Sequence, residues 1–153
     1  MMVGHQGLWK LPSLLGLLLM VSGVGVAQAQ PNPFLASVRQ QLREAGRAAE
    51  QEGYRLSHDP FTGKLRPKEA EFITITLKAN VSYLLVAVCD QDCRDMDLRL
   101  FDENRNLISE DMSPDAVPVV SVTPKRTATF RVQAIMSRCA ARDCLYGVGA
   151  FAR

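Results

Sequence analysis

Cys89-Asp90-Gln91-Asp92-Cys93-Arg94-Asp95-Met96-Asp97 packs two cysteines and four aspartates into nine residues. An apolar run, Tyr83 to Val88, leads into it, and the alternating Leu98-Arg99-Leu100-Phe101 leads out. A second cysteine pair, Cys139 and Cys144, precedes the last apolar run of the chain. The pattern reads as a strand, a stapled acidic turn and a return strand, with the remaining segments built around it. The short spacings suit local links, Cys89 with Cys93 and Cys139 with Cys144, each across a turn with Cα atoms about 5.5 Å apart. In the chain-entropy view each such link contributes roughly 2 kcal/mol, against about 4 for a crossed Cys89–Cys144 link. The crossed pairing requires the two loops to meet. A four-thiolate zinc site is the other alternative, because C-x3-C and C-x4-C lie within zinc-site spacing.

Compartment decides between thiolates and disulfides. Lys10 followed by the apolar, Leu-rich Leu11 to Val26 and the small-x-small Ala27-Gln28-Ala29 reads as a signal peptide over residues 1–29, cleaved before Gln30. As an uncleaved anchor the apolar run is short: it has 16 residues, interrupted by Pro12, Gly16, Gly23 and Gly25, where a spanning helix needs about 20. No second apolar segment is long enough to span. An exported protein meets an oxidising compartment, where paired cysteines are the rule. The 153-residue chain carries a formal net charge of +2, and loses Lys10 with the leader. A near-neutral mature chain without a clustered basic face does not suit nucleic acid.

The mature chain opens on Pro31-Asn32-Pro33, a cap followed by proline at the first helical position. Phe34, Val38, Leu42, Ala45 and Ala49 recur at helical spacing, with Arg39, Arg43, Arg47, Glu50 and Glu52 on the other face, predicting an amphipathic helix within residues 30–53. It either lies against the β-domain or serves as a docking helix. Residues 54–68 carry Asp59-Pro60, Thr62-Gly63 and Pro67 and read as a linker with room for a short hairpin. From residue 69 to 153 short β-like runs follow at regular spacing. Phe72 to Leu77 alternates, Tyr83 to Val88 is apolar on both faces, and Pro118 puts Val117 to Val120 at an edge. Phe130, Val132, Ala134 and Met136 alternate with polar residues, and Tyr146, Val148 and Ala150 close the chain. The expected fold class is all-β: an antiparallel β-sandwich or jelly roll preceded by one amphipathic α-helix, with Leu85, Leu100, Phe130, Val132 and Val148 in its core.

The order of these features is an apolar strand, an Asp-x-Asp-Leu-x-Leu hairpin, a polar turn, a later Asp and a closing Tyr-x-Val strand. It resembles the bacterial pre-peptidase C-terminal domain over residues 69 to 152. The matching residues are Tyr83, Asp95, Asp97, Leu98, Leu100, Asp102, Asp111, Phe130, Val132, Tyr146 and Val148. The family's turn glycine is replaced by Asn104 and Asn106, which tolerate left-handed geometry. Its Gly-x-Tyr is replaced by Thr127-Ala128-Thr129-Phe130. The resemblance implies a small jelly roll with a non-catalytic accessory or binding role, and names no ligand.

Catalytic chemistry finds little purchase. His58, the one histidine of the mature chain, sits among loop residues, and no Gly-x-Ser-x-Gly, phosphate loop or His-Glu-x-x-His is present. A carboxylate pair for glycoside hydrolysis is the remote enzymatic alternative. Nine acidic residues fall between Asp90 and Asp115, opposed only by Arg94, Arg99 and Arg105. Carboxylates converging from adjacent turns would suit Ca²⁺, and Asp90, Asp92, Asp95, Asp97 and Asp111 are the candidate ligands. The structural alternative is that such carboxylates, Asp95, Asp97 and Asp102 foremost, hydrogen-bond their own turns. Asn80-Val81-Ser82 matches a glycosylation sequon and reads as chance in a bacterial setting. The expected role is an exported, non-catalytic module without an obligatory cofactor, binding a protein or glycan surface, with a calcium-stabilised structural module as the alternative.

Overall fold

The computed structural model describes residues 32–153; the signal peptide expected over residues 1–29 lies outside them. One helix, α1 (Pro33–Gln51), precedes nine strands among the described residues: β1 (Arg55–Leu56), β2 (Phe61–Leu65), β3 (Ala70–Leu77), β4 (Tyr83–Cys89), β5 (Cys93–Phe101), β6 (Leu107–Asp111), β7 (Val119–Val122), β8 (Ala128–Cys139) and β9 (Cys144–Ala152). They form two antiparallel sheets. Sheet A runs β1-β9-β4-β7, with β2 also on the outer edge of β9, and sheet B runs β3-β8-β5-β6. The expected two-sheet sandwich behind one helix is what the chain adopts.

The core lies where the alternation placed it. Leu85, Leu100, Phe130, Val132 and Val148 are all buried between the sheets, with Met96, Leu98, Met136 and Tyr146. The Tyr146 hydroxyl donates to Glu71 Oε2 at 2.7 Å, a bond from β9 in one sheet to β3 in the other. Burial, and then the Glu71 carboxylate, raise the Tyr146 pKa above its ordinary value.

A second apolar layer lies outside sheet A. Val86, Val88 and Phe151 point outward and are covered by Val38, Leu42 and Ala49 of α1. This explains a β4 that is apolar on both faces. The Asn32 side chain caps the helix, accepting from Phe34 N and Leu35 N at 3.0 and 3.3 Å. At the other end Gly53 takes φ +86°, Gly53 N donates to Glu50 O, and Tyr54 N donates to Ala49 O. That left-handed glycine stop turns the chain back so that Tyr54 packs beside Ala49. The helix can lie this close because β9 has no side chain at Gly147: a Cβ there would stand 2.7 Å from Leu42 Cδ1 and 2.9 Å from Val38 Cγ1.

Two expectations need correction. Residues 54–68 are not a linker: β1 pairs with Phe151–Ala152 and β2 with Cys144–Val148, so they complete the edge of sheet A one after the other. Their brevity and their turn residues hide ladder pairing that only β9 reveals. Nor does the acidic turn join a hairpin. β4 belongs to sheet A and β5 to sheet B, so Asp90-Gln91-Asp92 is an arch between sheets. The β8–β9 connection crosses in the same way; among consecutive strands only β5 and β6 pair as a hairpin. Alternation reports which face of a strand is buried, but not which strand is its neighbour.

Candidate functional site

The four cysteines, with Asp90 and Asp92, are gathered at one end of the sandwich, where they build the two arches. Cys89 and Cys93 form one disulfide and Cys139 and Cys144 the other, with Cα–Cα distances of 5.9 and 6.0 Å. The described residues include no free cysteine, so no thiolate remains for zinc. The arches do meet: Cys93 stands opposite Cys139 in the β5–β8 ladder. Asp90 ties them. Its Oδ1 accepts from Asp92 N in its own arch at 3.1 Å, and its Oδ2 accepts from Leu145 N beyond the other arch at 2.6 Å. Ala140 N donates to Asp92 O at 2.8 Å.

The other candidate calcium ligands are dispersed in role. Asp95 and Asp97 lie on the outer face of β5, opposite the core-facing Met96 and Leu98. Asp97 is buried and accepts from the Ser137 hydroxyl. Asp95 Oδ2 pairs with Arg138 Nε at 3.3 Å, while its Oδ1 is buried without a hydrogen-bond partner. Asp102 folds the β5–β6 turn, accepting from Asn104 N, Asn106 N and Asn106 Nδ2. The Asn106 side chain, foremost, holds the Asp102 carboxyl below its ordinary pKa. The left-handed position in that turn falls on Arg105 (φ 66°) and not on Asn104 or Asn106. Asp111 accepts from Val119 N at 2.9 Å and Ser113 N at 3.1 Å. The Val119 bond, foremost, lowers its pKa. Among the described residues no three of His, Cys, Asp or Glu come together as a metal-binding group. His58 bridges loop and sheet, its Nδ1 on the Ser57 hydroxyl at 2.9 Å and its Nε2 on Thr76 O at 3.0 Å.

The feature that linear reading missed is the outer face of sheet B. Register aligns two rows across all four strands. One row is Thr74–Arg131–Phe101–Leu107, and the next is Phe72–Gln133–Arg99–Glu110. No helix covers them. Phe72 is 45% exposed and Leu107 48%. The Arg131 guanidinium sits 4.0 Å from the Phe72 ring centroid. The Phe101 ring meets Phe72 edge-on at 6.1 Å between centroids. Arg99 Nε pairs with Glu110 Oε2 at 3.0 Å, whereas Arg131 forms no ion pair among the described residues. The face therefore presents aromatic, aliphatic and cationic groups in one patch. The one linear hint was Phe72, an aromatic on the same strand face as Thr74 and Thr76.

No family model matches the chain, and no curated protein matches it. Among solved structures it is similar to Aeromonas hydrophila PliG, a periplasmic lysozyme inhibitor of g-type lysozyme. The identity is 10%, covering 67% of this chain and 90% of that chain, with a TM-score of 0.47. A likeness at that level says nothing of what this chain binds. No helix among the described residues is long and apolar enough to cross a membrane.

Proposed function

We propose that this protein is an exported, non-catalytic β-sandwich module that binds a partner protein through the outer face of sheet B. The observation that carries the reading is the uncovered patch of Arg131, Phe101, Leu107 and Phe72. Exposed aromatic side chains beside arginine are the composition of protein-interface centres. An arginine already stacked on a ring is held in place before binding, which lowers the ordering cost of association. Export is supported by the two disulfides, which belong to oxidising compartments. A non-catalytic role is supported by His58, Asp90, Asp97, Asp102 and Asp111, whose side chains are engaged in hydrogen bonds of the turns, arches and strands. It is also the role that the resemblance to the pre-peptidase C-terminal domain implies.

The test is capture from the native envelope fraction on immobilised wild type and on Phe72→Ser/Arg131→Gln, followed by reconstitution with the purified captured protein. A partner held by wild type and lost from the double variant, in both formats, supports the reading. Equal capture by both, or capture that survives protease digestion of the fraction and so reports a glycan, overturns it.

A further inference from the structure

We infer that the groove between α1 and the β1–β2 edge of sheet A is a second binding site, for an amphiphile with an anionic head and an apolar body. It does not involve the outer face of sheet B.

The groove has a volume of about 530 Å³, within the roughly 300–1,000 Å³ of small-molecule sites. Its floor is apolar: the Phe151 ring, Gly149 and Leu42 lie at the bottom, with Gly46 on the helix side. The opposite wall is Leu56, Pro60 and Thr62, and Leu56 is 54% exposed although it is large and apolar. The helix wall carries Arg39, Arg43 and Arg47 at successive four-residue intervals, then Glu50. The twelve helical residues from Arg39 to Glu50 span about 16 Å, so the trough runs along the helix for about three turns.

The charges of that wall are not explained by the fold. Like charges four apart on a helix repel each other. Arg39 and Arg43 have no ion-pair partner among the described residues, and Arg47 reaches only its helical neighbour Glu44, at 4.0 Å. The helix has no acidic residue in its first turn and no basic residue in its last, so its charges do not serve the helix dipole either. A carboxylate or phosphate between Arg39 and Arg43 would relieve the repulsion through charge-assisted, bidentate bonds. Glu50 repels an anion at the far end and so orients the ligand: the head lies at Arg39 and Arg43, and the tail runs over Gly46, Phe151 and Leu56.

Calorimetric titration of the intact exported protein with dodecanoate, dodecyl phosphate and dodecanol, each below its micelle concentration, tests this. Saturable one-to-one binding of either anion is expected, with dodecanol at least tenfold weaker. Arg39→Gln/Arg43→Gln should weaken anion binding at least tenfold, and Leu56→Asp on the opposite wall should do the same. Arg94→Gln, an exposed charge that does not line the groove, should change nothing. Unchanged melting temperatures would show that the substitutions act on the groove and not on the fold. Equal binding of dodecanol, wild-type affinity in the double arginine variant, or no saturable binding of either anion would overturn the assignment.

Discussion

The two sheets of this sandwich share an inner core but treat their outer faces differently. Sheet A is roofed: Val86, Val88 and Phe151 point out from it into a second apolar layer closed by α1. Sheet B is open: Phe72, Phe101 and Leu107 point out from it toward solvent, with Arg131 over the first ring. Both faces carry aromatic and aliphatic side chains, so apolar content alone does not distinguish them. The distinction is whether the chain supplies the cover. Where it does, outward apolar groups contribute to stability; where it does not, they are available to a partner.

The largest expected effect tests that distinction directly. Phe151→Ala empties a site that is 2% exposed beneath the helix, and should cost about 3–5 kcal/mol. Phe72→Ala removes an exposed ring with one aromatic and one cation contact, and should cost about 0.5–1 kcal/mol. Urea midpoints of the two variants give the comparison. Similar losses for both would mean that sheet B's outer face is structural after all, and would remove the ground for binding there.

Gly147→Ala should come next. The added methyl falls well inside contact distance of Leu42 and Val38. Their side chains or the whole helix must move, for about 1–3 kcal/mol. The damage should be local to the roof. Hydrogen exchange should accelerate in α1 while amides of β5 and β8 keep their protection. Uniform acceleration through both sheets would mean that the roof and the sandwich unfold as one unit.

Much of sheet A was legible in advance, and little of the open face was. A β4 apolar on both sides requires cover, and α1 has an apolar stripe at the right spacing to provide it. Pro118 marked the edge strand. The disulfide partners follow from spacing, but a strand, a short turn and a return strand do not say that the turn crosses between sheets, since alternation does not encode sheet membership. The strands at Arg55–Leu56 and Phe61–Leu65 went unrecognised because short segments next to Asp-Pro and Thr-Gly look like turns until β9 pairs with them. Arg131, Phe101 and Leu107 lie far apart in the chain and become one row only through the β8–β5–β6 register. The groove arginines were visible as the polar face of α1, but the apolar floor beside them comes from β9.

The smallest effect concerns how the uncovered sheet keeps its free edge in place. β6 is the outermost strand of sheet B, and Asp111 at its end accepts from Val119 N, at the start of the outermost strand of sheet A. This bond joins the two sheets on the side away from the β1–β2 edge. It holds the Asp111 carboxyl below its ordinary pKa. A carboxylate whose pKa is lowered in the folded chain contributes fully above the unfolded value, about 4, and loses that contribution as pH falls through the folded value. Asp111→Asn keeps one acceptor but loses the charge and the second acceptor. The variant should therefore be slightly less stable than wild type at pH 7, and the gap should close below about pH 4. Asp102 shares the direction of shift, so wild type and variant should both retain some acid sensitivity. Urea midpoints from pH 7 to 3 measure the gap. A gap that persists at pH 3 would assign the Asp111 contribution to shape and neutral hydrogen bonding. The edge of the open sheet would then be held without the help of charge.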